Sequence, residues 1–146
     1  MLEVTLGIIK PHAYPERREI KRFIEDRGLS ILAEKELGIS REVAEKQYET
    51  LKGKGYFEDA VRVLSEGRST ILLIYGEDAI RRLVGMAGYK DSRLAEEGTI
   101  RRRFGVDNER NAFHRADSME NVKREAGLYF EDDEIPEQAS GILKTY

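Results

Sequence analysis

Short apolar runs alternate with amphipathic stretches along the chain. The strongest run, residues 70–75, is Thr-Ile-Leu-Leu-Ile-Tyr, and a similar run covers residues 4–9. Both are rich in β-branched residues and bounded by Gly, Pro or charge, which predicts buried strands. Mixed alternation predicts a third strand over 29–37, and the short run 127–130 predicts a fourth. The pattern therefore predicts a small sheet.

Between these strands, apolar residues recur at helical spacing. Ser40 and Ser118 each precede such a stretch and are typical N-caps. The predicted helices cover residues 16–27, the stretch after Ser40 up to the break at Gly53, 56–66, 78–86 and the stretch after Ser118. Residues 88–117 show little periodicity, and an irregular segment of that length is usually functional or disordered.

The predicted order is β-α-β-α-α-β-α-loop-α-β. Without the paired helices it reduces to β-α-β-β-α-β, the ferredoxin-like unit, an α+β sandwich with helices on one face of a four-stranded antiparallel sheet. A parallel doubly wound sheet is the less favoured alternative, because the strands are few. No P-loop and no G-x-G-x-x-G motif follows the first strand. One domain over residues 1–146 is expected.

Composition narrows the chemistry. The 146 residues include no Cys and two His, which excludes disulfides, thiol catalysis and zinc sites built from Cys or several His. The 25 Lys and Arg nearly balance the 28 Asp and Glu, leaving a net charge of −3, so no dedicated nucleic-acid module is expected. No apolar run is long enough to cross a membrane and no signal peptide is evident, so a cytoplasmic protein is expected.

Candidate chemistry concentrates in the irregular segment. Residues 101–103 are three successive Arg, and His114 lies just before the predicted N-terminus of the last helix. Guanidinium groups and helix N-termini both favour phosphates, and a His between them can act as a base or a nucleophile. On these residues alone, a solvated His in an Arg-rich loop remains the more common explanation.

Five segments in order along the chain resemble a known family. They are Thr5–Pro11, Arg22-Phe23 before Gly28, Tyr48–Lys52 with Tyr56-Phe57, Gly98–Arg101, and Asn111–His114 with Glu125 following. Together they resemble the nucleoside diphosphate kinase family, over most of the chain from about residue 4 to residue 130. Each segment alone is weakly specific, whereas the ordered set is a strong signal.

The resemblance implies a ferredoxin-like fold and a reversible ping-pong transfer of the γ-phosphate from a nucleoside triphosphate to a nucleoside diphosphate. It assigns His114 as the nucleophile that becomes a phosphohistidine and Glu125 as the carboxylate that orients it. It also implies Mg²⁺ carried by the nucleotide rather than by protein ligands, and a homo-oligomer, either a tetramer or a hexamer, built from dimers.

Five further residues receive nucleotide-binding roles from the resemblance. Lys10 would bind phosphate and the sugar hydroxyl, and Asn111 the sugar hydroxyl. Arg101 would neutralise phosphate charge. Tyr48 would donate to the transferring phosphate, and Tyr56 would stack on the base.

Departures from the family pattern support an alternative. Val84 occupies the position of the family's phosphate-binding Arg, and Lys90 occupies that of its phosphate-binding Thr. We expect Lys90 to replace both lost contacts as a point charge. Arg115 and Ala116 replace a small residue and a Ser, and Arg102-Arg103 add cations that could offset the missing Arg. The alternative is a degenerate member that acts as a nucleotide-binding or interaction module with little or no phosphotransfer. No functional role is expected for His12, where the family usually has Asp.

Overall fold

The computed structural model describes residues 1–145. Its strands are β1 (Leu2–Ile9), β2 (Ser30–Gly38), β3 (Arg68–Glu77) and β4 (Phe113–Arg115). Its α-helices are α1 (Arg17–Asp26), α2 (Arg41–Gln47), α3 (Phe57–Leu64), α4 (Ala79–Ala87), α5 (Ile100–Phe104), α6 (Met119–Tyr129) and α7 (Glu137–Thr145). Short 3₁₀ turns cover Pro11–Glu16, Glu49–Leu51 and Asp132–Glu134.

The strands form a four-stranded sheet in the order β2-β3-β1-β4. Every neighbouring pair is antiparallel. Strand β3 therefore lies between β1 and β2, and β1 lies between β3 and β4, which is the arrangement of the ferredoxin-like unit. The predicted fold class is confirmed.

Helices cover both faces of this sheet, whereas the sequence predicted helices on one face. Helices α1 and α4 pack with Ile9, Leu72 and Ile74 on one side. Helices α2, α3, α6 and α7 pack against Leu6, Ile71 and other residues on the opposite side. The second layer follows from β1 and β3, whose successive residues are buried on both faces and so need cover on both.

Two predicted segments near the C-terminus are wrong. Residues 127–130 do not form a strand, because residues 127–129 complete α6, where Val122, Ala126 and Tyr129 are buried at helical spacing. The fourth strand is β4, inside the segment 88–117 that was predicted to be irregular and that also contains α5. The predicted caps are confirmed: Ser40 accepts from the Val43 amide and Ser118 from the Asn121 amide.

A close approach between β1 and β4 fixes where β4 runs. A Cβ at Gly7 would lie 2.4 Å from the Phe113 ring, so only glycine allows that ring to cross β1. Phe113 is fully buried there with α4 on its face of the sheet. Because side chains alternate along a strand, anchoring Phe113 directs His114 to the opposite face.

Candidate active site

A cavity of about 250 Å³ opens beside the end of β4. Seven of the eight predicted site residues line it: Lys10, Tyr48, Tyr56, Lys90, Arg101, Asn111 and His114. The eighth, Glu125, lines a smaller cavity of about 190 Å³ on the other side of His114. The fold thus brings together residues that are up to 115 positions apart in the sequence.

The backbone at the junction of β1 and β4 positions the side chains of Lys10 and His114. Ile8 pairs with His114 in the sheet register, and the Lys10 amide donates to the Ala112 carbonyl at 2.8 Å. Ala112 itself has φ of 76°, a conformation that costs a non-glycine residue on the order of 1–3 kcal/mol. The strained turn therefore lies two residues before the candidate nucleophile.

His114 is held by a buried carboxylate. Its Nε2 lies 2.6 Å from Oε1 of Glu125, which projects from α6 and is only 3% exposed. Burial opposes ionisation of Glu125, but the His114 ring and hydrogen bonds from His114 and Gln47 hold its pKa below the usual value. With Nε2–H donating to the carboxylate, the lone pair is left on Nδ1, the nitrogen available for nucleophilic attack.

Gln47 at the end of α2 joins this arrangement and was not predicted as a site residue. Its amide nitrogen bonds Glu125 and lies 3.0 Å from His114 Nε2, and its Oε1 accepts from the Tyr129 hydroxyl at 2.8 Å. Arg124 adds contacts between α6 and α2 through the carbonyls of Lys46 and Gln47. The available signal was a polar residue on an otherwise apolar helix face.

Lys10 and Arg101 bring two buried positive charges to the cavity. Burial and the neighbouring Arg101 charge lower the pKa of Lys10 to about 7. Arg101 donates to the carbonyls of Phe113 and Gly88 at 2.8–3.1 Å, and burial together with Arg115 lowers its pKa to about 10. Both shifts indicate buried cations that nearby negative charge compensates only in part, which favours binding of an anion here.

The uncharged polar groups complete the wall. Burial raises the pKa of Tyr48, so its hydroxyl stays a donor, and its ring meets His114 edge-on with centroids 5.7 Å apart. Asn111 donates to the carbonyls of Lys90 and Asn108, while its Oδ1 is buried without a partner in residues 1–145. That oxygen is free to accept from a ligand hydroxyl.

Tyr56 and Lys90 form the outer part of the cavity. The Tyr56 ring is 39% exposed, and Lys90 Nζ lies 5.9 Å from its centroid. An exposed aromatic face with a cation beside it suits a stacked base and a phosphate.

The expectation that Arg102 and Arg103 could offset the missing arginine at Val84 is wrong. Both side chains are exposed and neither lines the cavity, because α5 turns them outward while it buries Arg101. Arg102 donates instead to the Arg93 carbonyl at 2.9 Å. Arg115, by contrast, lines both cavities.

His12 has a role that the sequence did not indicate. Its Nε2 accepts from the Ala112 amide at 2.8 Å, so it holds the strained turn before His114. Burial and the Lys10 charge lower its pKa to about 4, which keeps the ring neutral and able to accept.

Comparison with known proteins decides the family. The profile described as "Nucleoside diphosphate kinase" matches residues 3–135. The chain belongs to the nucleoside diphosphate kinase family. The nucleoside diphosphate kinase of Methanocaldococcus jannaschii is 38% identical over 92% of this chain and 98% of its own length. That of Listeria monocytogenes HCC23 is 37% identical over 92% of each chain.

Solved structures agree with this assignment. The Aquifex aeolicus nucleoside diphosphate kinase matches with a TM-score of 0.85 and 32% identity over 93% of this chain and all of its own. A halophilic nucleoside diphosphate kinase from Halobacterium salinarum, solved with CDP, matches with a TM-score of 0.86 and 27% identity over 97% and 99% of the two chains. Similarity over most of the chain to phosphotransferases does not favour the alternative of a module with little phosphotransfer.

Residues 1–145 contain neither a membrane-spanning helix nor a cluster of metal-binding side chains. No helix there is both long and apolar enough to cross a bilayer. No group of three or more His, Asp or Glu side chains lies close enough together to hold a metal ion.

Proposed function

We infer that this kinase transfers the γ-phosphoryl group through Nδ1 of His114. The observation that carries this inference is the 2.6 Å contact between His114 Nε2 and the buried Glu125, which leaves Nδ1 as the nucleophile beside a cavity lined by cations. A neutral imidazole is nucleophilic near pH 7 without further activation.

In the first half-reaction, the Nδ1 lone pair forms a bond to the γ-phosphorus. The bond from that phosphorus to the bridging oxygen breaks, and the nucleoside diphosphate leaves with the electron pair. The imidazole gains positive charge as the bond forms, and the Glu125 carboxylate stabilises it through the Nε2–H bond. The second half-reaction is the reverse, with the terminal phosphate oxygen of a different diphosphate attacking phospho-His114.

The remaining residues position the nucleotide and neutralise the charge on its phosphates. Lys10 and Arg101 offset the charge that spreads over the phosphoryl oxygens, and Tyr48 donates a hydrogen bond to them. Asn111 Oδ1 accepts from a sugar hydroxyl. Tyr56 stacks on the base, with tolerance for its identity, because every base has an aromatic face.

Lys90 supplies an outer positive charge to the phosphates. Its place beside Tyr56 supports this assignment. Replacement by Ala is expected to weaken nucleotide binding, and unchanged affinity would overturn this role.

Magnesium fits this site as a companion of the nucleotide. The cavity wall holds several cations and one carboxylate, Glu109, which is a poor donor set for a resident divalent ion. Mg²⁺ bound to the phosphates would neutralise part of their charge. Lys10 and Arg101 would neutralise the rest of that charge.

The oligomeric state of the protein, its cellular compartment and the bounds of its domain are further proposals. We expect residues 1–146 to act as one domain that binds nucleoside di- and triphosphates, in a cytoplasmic homo-oligomer built from dimers. Sedimentation velocity would test the assembly, and a single monomeric species at working concentrations would contradict it.

Intact-mass spectrometry tests the proposed function. After mixing with Mg²⁺–ATP at neutral pH, we expect a gain of one phosphoryl group that acid removes and that added GDP discharges. The His114→Ala variant should gain none. Binding of ATP without any phosphoryl gain would contradict the proposal.

A further inference from the structure

Arg115 stands on the wall between the two cavities. It follows His114 directly on β4 and lines both the larger and the smaller cavity. Its side chain is half-buried rather than free in solvent. His114 lines the same two cavities, so Arg115 borders the space in which His114 would meet a phosphoryl group.

The Arg115 guanidinium has no protein partner. Within residues 1–145 its side chain makes no hydrogen bond of normal geometry and no ion pair within 4.0 Å, and its Nε is buried without a partner. The two carboxylates whose charges reach it, Asp117 and Glu125, are already bonded to Asn121 and His114. A partly buried cation without an ion-pair partner is unfavourable, so this one is suited to an incoming anion.

Arg101 cannot supply the same contacts alone. Three of its nitrogens donate to the carbonyls of Phe113 and Gly88, which commits much of its fork to the backbone. Apart from its buried Nε, the Arg115 guanidinium is available for a phosphate, and its two terminal nitrogens can donate two hydrogen bonds. The position that would provide another arginine, Val84, carries no charge.

We propose that Arg115 is a phosphate-binding catalytic residue whose guanidinium contacts the γ-phosphoryl group as it passes between the nucleotide and His114. This rests on the proposed function, because it assumes attack by His114. Because Arg115 and His114 line the same two cavities, the guanidinium is assigned to the γ-phosphate rather than to the α-phosphate, the sugar or the base. Its contacts begin with the γ-phosphate of bound ATP and strengthen as charge develops on the transferring oxygens.

Single-turnover and binding measurements on matched variants test the proposal. The variants are Arg115→Met, which keeps an apolar stem of similar length, Arg115→Lys, and Arg103→Ala as an exposed control outside both cavities. ATP and ADP binding are measured in the His114→Ala background, where no transfer can occur. Far-UV circular dichroism checks that each variant folds.

We expect Arg115→Met to slow phosphorylation of His114 by about 10- to 100-fold, the usual effect of losing charge-assisted hydrogen bonds. ATP affinity should fall more than ADP affinity, because only ATP carries the γ-phosphate. Arg115→Lys should be intermediate, since it keeps the charge without the fork. The Arg103→Ala control should behave as the unmodified protein.

Two results would overturn the proposal. Phosphorylation by Arg115→Met as fast as or faster than the unmodified protein would mean that Arg115 merely crowds the nucleophile. Equal losses of ATP and ADP affinity would remove it from the γ-phosphate. Failure of the unmodified protein to form phospho-His114 is a different outcome, because it rejects the proposed function before any variant is compared.

Discussion

The two sides of the active site differ in how fully their polar groups are paired. On the α6 side, Glu125, Gln47 and Tyr129 are buried. Glu125 accepts from His114 Nε2–H, and Gln47 Oε1 accepts from the Tyr129 hydroxyl. On the nucleotide side, Lys10 and Arg101 have lowered pKa values, and Arg115 has no partner among residues 1–145. The protein thus holds the proposed nucleophile with its own side chains, and we expect a ligand to complete the cationic side of the cavity.

Glu125→Gln breaks the paired side most directly. Without the negative charge, the imidazolium that develops during attack loses its stabilisation, and Nε2 loses its preferred acceptor. We expect kcat to fall by about 100-fold or more with little change in nucleotide affinity. Steady-state kinetics would measure this, with Glu120→Gln on the exposed face of α6 as the control. A variant as fast as the unmodified protein would mean that Glu125 does not orient His114.

The pH dependence of ADP binding tests the role of Lys10 on the unpaired side of the site. Its pKa of about 7 in the ligand-free protein should rise when phosphate binds, because Arg101 repulsion is then offset. Binding above pH 7 therefore takes up a proton, and ADP affinity should fall as pH rises from 7 to 9.5. Calorimetry would measure the slope, which Lys10→Met should flatten while lowering affinity about 10-fold or more. An equal slope in both proteins would contradict the assignment.

The same shift predicts a stability trend without ligand. The unfolded chain holds the Lys10 proton up to its ordinary pKa of 10.5, whereas the folded protein releases it near pH 7. The unfolded state thus binds more protons between these values, so stability should rise with pH across this range. Denaturant unfolding curves of Lys10→Met should therefore show no such rise in the free energy of unfolding with pH.

Gln47→Leu tests whether the buried amide matters to the nucleophile. It removes the bond to Glu125 and leaves the Tyr129 hydroxyl without its acceptor, which should cost about 1–3 kcal/mol of stability. We expect kcat to fall about 10-fold. Tyr129→Phe together with Gln47→Leu should recover part of the stability, because the orphaned hydroxyl is gone. Strictly additive losses in the double variant would mean that the two groups do not form one network.

His12 carries the smallest expected effect. Its pKa is lowered to about 4, so the stabilising bond to Ala112 is present above the unfolded value of 6.5 and is lost as pH falls towards 4. The half-exposed site reduces the contribution to about 1 kcal/mol. His12→Phe should remove this acid sensitivity from thermal unfolding and slow phosphorylation several-fold, whereas His12→Gln keeps an acceptor and should retain the rate. Unchanged acid sensitivity in His12→Phe would remove His12 from this role.

The sequence revealed the parts of the molecule whose signals are local. Strands β1 and β3 were predictable because their apolar runs are long, and Ser40 and Ser118 because capping depends on neighbours in sequence. Strand β4 escaped prediction, since three residues that include His and Arg carry no strand pattern. Residues 127–130 were assigned wrongly because a short apolar run at a helix end reads like a strand.

The site divides in the same way. All the predicted members except Lys90 came from ordered segments that resemble a family, whereas Lys90 came from a departure from that pattern. The fold brings them around His114, the proposed nucleophile. The sequence did not reveal the roles of Gln47 and His12, because these depend on contacts with residues 67 and 100 positions away. The lack of a partner at Arg115 is likewise visible only once β4 is in place.

Phosphorus NMR of the phosphorylated protein tests the central claim most directly. The two phosphohistidine isomers have different ³¹P shifts, and ¹⁵N labelling of the His114 ring identifies the substituted nitrogen. The pairing of Nε2 with Glu125 predicts phosphorylation at Nδ1 alone. Phosphate on Nε2, or on any residue other than His114, would contradict the account.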